Sequence, residues 1–464
     1  MKHRDHTRLL ESLRQEYERR SPRSAALQAQ ALRHLVDGGS HTLRLIEPFP
    51  PRIAEARGAF VTDEDGHRIL DFWQGHYANL LGHNPPELLG ALQEGLAAGC
   101  GLQTGFTDRL QVETAELLCR LTGAERVRFT TSGALATMYA VLLARASTGR
   151  DRIMKVGGGW HGAQPWALKG VDFHDENHSQ FQHVETKGLP LAIAREVLVT
   201  RFNDPEMLEG LFRRHGGEVA CFIVEPFMGA GGFLFAEPEY LALARELCTR
   251  YGTVLIFDEV ISGFRFHPGA VSQLYGVQPD LATFAKAMGG GMPVAAVAGR
   301  AELMKLAGRG GGVKFSGGTY SGHPACMLAA RTMMAHLESH AREIYPRLAA
   351  LGERTRRAVE AAFASEGLHA VCSGDGNQAV PGSSLGMLHF PYREATRFRS
   401  PEDTHNPDVC DVTLSETVVQ MALLLEDVFV VHGLGSLSMA HTEEHLERLA
   451  EACRRAARRI KASL

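Results

Sequence analysis

Val254-Leu255-Ile256-Phe257-Asp258-Glu259 opens the stretch that decides the fold of this chain, VLIFDEVISGFRFHPGAVSQLYGVQPDLATFAKAMGGGMP, which ends at Pro293. Its first four residues form a short apolar run, which is typical of a buried strand. Asp258 and Glu259 follow at the C-terminal end of this predicted strand. In open α/β sheets that end of the strands is the edge at which ligands bind. The stretch therefore predicts a ligand site at this edge.

A single lysine, Lys286, follows in an apolar and glycine-rich setting, AKAMGGG. Desolvation lowers the pKa of a lysine amine and makes it a better nucleophile toward carbonyls. An aspartate at a strand end and a sheltered lysine are the pair that pyridoxal phosphate requires, since the acid protonates the pyridine nitrogen and the lysine forms a Schiff base. From Asp258 and Lys286 alone, a capping aspartate and a solvated lysine would be the better interpretation.

The residues of the whole stretch favour the cofactor-binding interpretation instead. FDEVISGFR and PDLATFAKAMGGGMP resemble the class III (ω) aminotransferases, in the subgroup that includes glutamate-1-semialdehyde 2,1-aminomutase. The resemblance extends from about Gly38 to the end of the chain. It implies pyridoxal 5'-phosphate as cofactor, Lys286 as the Schiff-base lysine and Asp258 as the partner of the pyridine nitrogen.

The expected fold class is α/β, a fold-type-I transferase that has two domains. The resemblance implies a large doubly wound, mostly parallel sheet domain over residues 91–345. Residues 1–90 and 346–464 would supply a small α+β domain built from both chain ends. The sequence alternates helical and strand-like segments from about Pro86, as such a sheet requires, and residues 59–72 predict a hairpin around an Asp-Gly turn. Residues 6–33 and 324–363 each predict one long helix.

The resemblance also assigns residues around the cofactor. Ser132, Gly133 and Ala134 form a small-residue turn that opens a helix, where free backbone N–H groups suit a phosphate. Many relatives carry a hydroxyl at the position of Ala134. The further cofactor-binding residues that the resemblance implies are Trp160, whose ring would stack on the cofactor, His161, Glu225 and Thr319. Thr319 would bind the cofactor of a neighbouring subunit, so the expected active unit is a homodimer with shared sites.

The substrate residues are expected where the chain departs from its relatives. Arg44 is suited to a bidentate contact with a substrate carboxylate, although a surface-loop arginine is an equally good interpretation. His76, with Tyr77 beside it, occupies a position that is typically tryptophan in the aminomutases. Where those enzymes continue Gly-Asn, this chain has Gly229-Ala230.

Composition limits the remaining classes of partner. The formal net charge of -4 gives no electrostatic case for nucleic acid or for an anionic membrane. The N-terminus is too charged for a signal peptide, and the eight cysteines form no CxxC pair, so a cytoplasmic protein with reduced thiols is expected. His174, Asp175, His178 and His183 lack the spacing of metal ligands, which favours a solvated loop and no metal site.

We therefore predict an aminotransferase that moves an amino group from an amino acid or amine to a keto or aldehyde acceptor. The alternative is a 2,1-aminomutase, which moves the amino group within one molecule and needs no second substrate. A catalytically inactive protein that binds the cofactor is the third hypothesis. The substrates are small molecules in each active case, and Arg44 favours one that bears a carboxylate.

Overall fold

A computed structural model describes residues 4–174 and 180–464 of the chain. The strands, in chain order, are β1 (Ile53–Arg57), β2 (Phe60–Asp63), β3 (Arg68–Asp71), β4 (Arg126–Thr130), β5 (Arg152–Val156), β6 (Val197–Thr200), β7 (Val219–Val224), β8 (Phe227–Met228), β9 (Leu234–Phe235), β10 (Val254–Glu259), β11 (Leu281–Phe284), β12 (Ala295–Gly299), β13 (Val371–Ser373), β14 (Leu385–His389), β15 (Val428–Phe429) and β16 (Gly435–Ser436).

The helices, in the same order, are α1 (Thr7–Arg20), α2 (Pro22–Ala31), α3 (Gln74–Tyr77), α4 (Pro86–Ala97), α5 (Arg109–Thr122), α6 (Gly133–Thr148), α7 (Leu191–Glu196), α8 (Pro205–His215), α9 (Pro238–Tyr251), α10 (Ser272–Tyr275), α11 (Ala301–Met304), α12 (Pro324–Ser339), α13 (Ala341–Ser365), α14 (Pro401–His405), α15 (Val419–Leu424) and α16 (Glu443–Ser463). None of the helices in the described ranges is long and apolar enough to cross a membrane.

The largest sheet has seven strands within the described residues, in the order β4-β12-β11-β10-β7-β5-β6. All of them run parallel except β12, which pairs antiparallel with both β11 and β4. The predicted strand at 254 is β10, and it is buried along its whole length in the middle of this sheet. This arrangement agrees with the prediction of a mostly parallel sheet.

Both faces of β10 are covered because its side chains alternate between two apolar cores. Val254 and Ile256 belong to the core that α6 completes. Leu255 and Phe257 belong to the core on the opposite face, to which α8 and α9 contribute. A strand buried on both faces reads as a continuous apolar run, which is the pattern at 254–257.

A separate core combines both ends of the chain. It contains Leu13 and Tyr17 of α1 together with Leu446, Leu449 and Ile460 of α16. Two smaller sheets border it, one ordered β1-β2-β3-β15 and the other β13-β14-β16. The helix α13 contributes to this core and, through residues near its start, to a core of the large sheet. Because α13 crosses residue 345, the predicted domain boundaries stay predictions.

The hairpin expected at 59–72 is present as β2 and β3, paired antiparallel. Two of the predicted long helices are each broken in two. The first ends at Arg20 because Pro22 excludes its predecessor Ser21 from helical geometry, and Ser21 has φ −122° and ψ 57°. The second is interrupted at His340, whose φ of −109° and ψ of 18° lie outside the helical range.

The packing of α13 against residue 383 gives a stability prediction. A Cβ added at Gly352 would lie 1.8 Å from the carbonyl oxygen of Ser383, whereas one added at Gly210 in α8 would meet nothing within 4 Å. We expect Gly352→Ala to lower the free energy of unfolding by about 1–3 kcal/mol, because the backbone must move apart. Gly210→Ala should leave it unchanged or raise it by up to about 1 kcal/mol. Urea unfolding of both variants checks this, and equal stabilities would contradict the packing described.

Candidate active site

Asp258 lies at the C-terminal end of β10 and is held by three hydrogen bonds. Its Oδ2 lies 2.7 Å from Nδ1 of His161, and its Oδ1 accepts hydrogen bonds from Oγ1 of Thr283 and from the backbone N–H of Val260, each at 3.1 Å. The side chain is buried. Glu259 is turned to the opposite side of the strand, where it accepts from the backbone N–H groups of Val271 and Ser272. The two acids of the motif therefore have separate roles.

His161 connects Asp258 to the loop that follows β5. Burial lowers the pKa of His161, and the hydrogen bond to Asp258 opposes that shift. Its other ring nitrogen, Nε2, is buried and has no hydrogen-bond partner in the described structure. An imidazole held in this way fixes the orientation of the carboxylate beside it.

Glu225 forms the second buried acid of the site. It accepts hydrogen bonds from the backbone N–H of Trp160 at 3.0 Å and from that of Gly229 at 3.1 Å. Burial raises the pKa of Glu225, and the charge of Asp258 raises it further. Glu225 therefore connects the loop of Trp160 to the turn after β7. Trp160 is 43% exposed, so the residue is accessible to a ligand.

Lys286 begins the turn after β11, in the left-handed region at φ 46°. In the part of the chain that the structure describes, its amine has neither a hydrogen-bond partner nor an ion-pair partner within 4 Å. Burial lowers the pKa of this amine, and the charges of Glu225 and Asp258 oppose that effect. Non-glycine residues in strained backbone conformations occur often at functional sites.

The predicted phosphate turn lies beside these residues. Ser132 caps α6, and its Oγ accepts a hydrogen bond from the backbone N–H of Leu135. Thr137 of α6 donates to the carbonyl of His161 at 2.6 Å. Ala134 is so close to Gly162 that a Cβ on that glycine would lie 2.4 Å from the Cβ of Ala134. The N-terminus of α6 is thus packed on the loop of Trp160 and His161.

The residues near Thr319 are tied to α6 at another point. The ring of Tyr139 stacks on Phe315 with centroids 3.8 Å apart, and its hydroxyl accepts a hydrogen bond from Gly317. Thr319 itself is exposed, and its side chain makes no hydrogen bond among the described residues. A neighbouring subunit could reach such a residue.

The predicted substrate residues form one group on the side of Lys286. Nε of Arg44 lies 3.5 Å from Nε2 of His76, and the His76 ring contacts His41 and Trp73 at centroid distances of 4.6 and 4.2 Å. His76 has φ 59°. Burial lowers the pKa of His76 to about 3, and the charges of His41 and Lys286 contribute. The imidazole is therefore neutral in this pocket.

Tyr77 lies deeper than His76. Its ring meets Phe233 edge-on at 5.1 Å, and its buried hydroxyl has no hydrogen-bond partner among the residues described. The rings of His174 and His183 lie 4.4 Å apart, and Nε2 of His174 lies 2.9 Å from Glu185. Among the described residues, no group of three or more His, Cys, Asp or Glu could hold a metal ion. Asp175 and His178, considered with them as metal ligands, lie outside the described residues.

Lys155 was missed in the sequence, although a charged residue inside the apolar strand β5 is a signal in itself. Its side chain is fully buried, and Nζ donates to the carbonyls of Gly159, Ala167 and Lys169 at 2.9 to 3.0 Å. A buried ammonium is stable only when its protons are hydrogen-bonded. Lys155 therefore fixes both ends of the loop that contains Trp160 and His161.

Comparisons with known proteins agree with this geometry. A model of the family described as Aminotransferase class-III matches residues 46–371. The chain is 36% identical over 340 residues to a glutamate-1-semialdehyde 2,1-aminomutase of Halorubrum lacusprofundi, which is 73% of this chain and 74% of that protein.

Two solved structures are similar along nearly the whole chain. An ω-transaminase from Sphaerobacter thermophilus has 32% identity and a TM-score of 0.84, with 94% of this chain and 98% of that one covered. A transaminase with PLP bound has 30% identity and a TM-score of 0.81, with 96% and 98% covered.

The three acceptors of Lys155 give the prediction for this site. Replacing Lys155 with Met leaves the carbonyls of Gly159, Ala167 and Lys169 without a donor, at about 1–3 kcal/mol for each buried group that finds no water. We expect faster amide hydrogen exchange across residues 159–169 and a lower midpoint of thermal unfolding. Lys169→Met is the matched control, because Nζ of Lys169 donates to Ala194 and Val197 outside that loop. Equal exchange in the two variants would show that Lys155 does not hold the loop.

Proposed function

The chain belongs to the class III aminotransferases, and from that premise we propose that it transfers amino groups through Lys286. The family and the similarity to a transaminase with PLP bound identify its cofactor as pyridoxal 5'-phosphate, and the predicted α/β fold is that of its relatives. When bound, this cofactor supplies a carbonyl for the amine and a ring that takes up electrons. One observation carries the proposal: the unpartnered amine of Lys286 stands among the charges of two buried acids, Asp258 and Glu225.

The residues present fit that cofactor. Asp258, fixed by His161 and Thr283, would face the pyridine nitrogen and keep it protonated. The open end of α6 at Ser132, Gly133 and Ala134 would hold the phosphate with backbone N–H groups. The exposed Trp160 would cover the ring, and the orphaned Nε2 of His161 offers one more polar contact.

Lys286 would act on protons once a substrate has displaced it from the cofactor. Its pKa, lowered by burial to about 8, gives the amine a larger neutral fraction near neutral pH than an exposed lysine has, and a neutral amine can accept a proton from the carbon beside the substrate nitrogen. The resulting ammonium returns that proton at the neighbouring position. Glu225 and Asp258 stabilise the ammonium form. The same amine is therefore suited both to accept the proton and to return it.

We propose that the amino group moves within one molecule, as in a 2,1-aminomutase. The support is the comparison with curated relatives: those with 36–37% identity over about 340 residues are named glutamate-1-semialdehyde 2,1-aminomutase. Those relatives favour the aminomutase alternative over the general aminotransferase that was the first prediction from the sequence. The proposed substrate is accordingly glutamate-1-semialdehyde or a close analogue with a carboxylate.

Transfer between two molecules is the second candidate. His76 and Ala230 depart from the residues typical of the aminomutases, and the solved structure with 32% identity is an ω-transaminase. Either reaction would use the same lysine and the same acid.

We also propose a homodimer in which each subunit completes the other's site. Thr319 is exposed next to Tyr320, which is 63% exposed, and Phe106 is 79% exposed. Large exposed apolar groups of this kind are suited to a subunit interface. Thr319 of one subunit would then reach the phosphate held in its partner.

Borohydride reduction followed by peptide mapping tests the role of Lys286. We expect the reduced holoenzyme to carry the cofactor on the peptide that contains Lys286, and Lys286→Ala to lose this label and at least about a thousandfold in turnover, since one group both binds the cofactor and moves the proton. Lys305→Ala, at an exposed position, is the control and should keep both. Labelling at another lysine would refute the assignment.

Substrate requirements distinguish the two reactions. We expect glutamate-1-semialdehyde alone to be converted into the isomer with its amino group on carbon 1, followed by NMR. If conversion requires an added amino donor or carbonyl acceptor, the second candidate is correct. Absence of any reaction across a panel of amines, despite labelling of Lys286, would instead support an inactive cofactor-binding protein.

A further inference from the structure

A histidine and a glutamate that the proposed chemistry does not use form a hydrogen-bonded pair, and the charge of the histidine acts on His76. Nδ1 of His432 lies 2.7 Å from Oε2 of Glu416. The other ring nitrogen of His432, Nε2, has no hydrogen-bond partner among residues 4–174 and 180–464. A carboxylate on Nδ1 fixes the ring so that Nε2 points away from it.

His432 and Glu416 both line a cavity of about 350 Å³. The same cavity is lined by the segment that contains Leu43, Leu45 and Ile46. Arg44, inside that segment, places its guanidinium 3.5 Å from the ring of His76. The same short segment therefore contacts the cavity of His432 and the predicted substrate residues.

His76 connects this cavity to the reacting lysine. Its imidazole lies close enough to both His432 and Lys286 to experience their charges. His76 and His432 both adopt the left-handed conformation, with φ of 59° and 57°. Glu416 lies within a π-helical turn, Leu414–Val418, a conformation found frequently at functional sites. Both histidines therefore have a strained backbone, and the acid that holds His432 lies in a widened turn.

The histidines of this group differ in the direction in which their pKa values are shifted. Burial opposes the shift, yet the carboxylate of Glu416 raises the pKa of His432 above its ordinary value. Burial lowers the pKa of His76 and of His389 to about 3, and it lowers the pKa of His405. These neighbours are therefore neutral.

Two further charged groups, Arg14 and Glu47, line the cavity as an ion pair, and the buried Nε of Arg14 has no hydrogen-bond partner among the described residues. His432 is thus a second basic group of this cavity, with one ring nitrogen paired to Glu416 and the other without a partner among the described residues.

We propose that His432, held by Glu416, binds a carboxylate of the substrate together with Arg44. This inference rests on the proposed function and deepens it, because it names a further residue that would bind the carboxylate remote from the reacting carbon. His432 is the binding residue, and Glu416 is a positioning residue that keeps the imidazole charged. A purely structural pair, which would only join the π-helical turn to the turn at His432, is the competing interpretation.

Glutarate binding to the holoenzyme tests this, measured by calorimetry, with n-pentylamine as a ligand that has no carboxylate. We expect His432→Asn to weaken glutarate binding by about 10- to 100-fold, which corresponds to the loss of one charged hydrogen bond, and to leave n-pentylamine unchanged. His67→Asn is the matched control, because His67 forms a similar pair with Asp63 at 2.8 Å in the β2–β3 hairpin. Equal glutarate affinity in the two variants would overturn the proposal.

The pH profile separates binding from structure. When Nδ1–H of His432 is donated to Glu416, Nε2 carries a proton only in the imidazolium form. Wild-type affinity for glutarate should therefore be high below the pKa of His432 and fall as pH rises through it. In Glu416→Gln the pKa is no longer raised, and the fall should occur at lower pH. An unshifted midpoint in this variant would contradict the role of Glu416. Glu416→Gln also serves if His432→Asn does not fold.

Failure of this inference is distinguishable from failure of the proposed function. Borohydride labelling at Lys286 in His432→Asn reports the cofactor lysine independently of glutarate. Labelling retained with unchanged glutarate affinity rejects His432 alone. Labelling absent in the wild type rejects the role of Lys286, while the calorimetric comparison still reports on the anion site.

Discussion

The burial of Asp258 at the end of β10 is the constraint on which the rest of the site depends. A carboxylate removed from water must be paired or hydrogen-bonded, and here His161, Thr283 and the N–H of Val260 meet that need. Each partner comes from a different segment, so satisfying one acid brings together the loop after β5, the strand β11 and the start of the turn after β10. The amine of Lys286 is close enough to Asp258 and Glu225 for the charges of both to act on its pKa.

A second level of support lies beneath that first group. Lys155 holds three carbonyls of the loop that presents Trp160 and His161, and Glu225 holds its backbone at Trp160. α6 adds a bond from Thr137 to the carbonyl of His161. The loop is irregular in structure, yet buried polar groups fix it as firmly as a regular element would. Precise placement of a cofactor needs this kind of rigidity.

Local patterns in the sequence predicted much of this arrangement. Contacts between residues that are far apart in the sequence could not be predicted. The apolar run before Asp258 and the small residues around Lys286 are contiguous signals, so β10 and the lysine could be predicted directly. The break at Ser21 could be predicted from Pro22, whereas no proline directly follows the break at His340. Glu416 and His432 are sixteen residues apart and meet through a π-helical turn, a conformation that leaves no periodic signature. Their pairing could not be predicted.

The helix α13 has a consequence for how this chain can change over time. Ile344 and Leu348 pack in a core of the large sheet, whereas Leu351 and Val359 pack in the core built from both chain ends. A substitution in this helix therefore affects the packing of two cores. Inherited variation should therefore be scarcer along α13 than along helices that pack in a single core, such as α8. The region that joins the two cores is for this reason the least free to diversify, while the pocket around His76 and His432 remains open to new specificity.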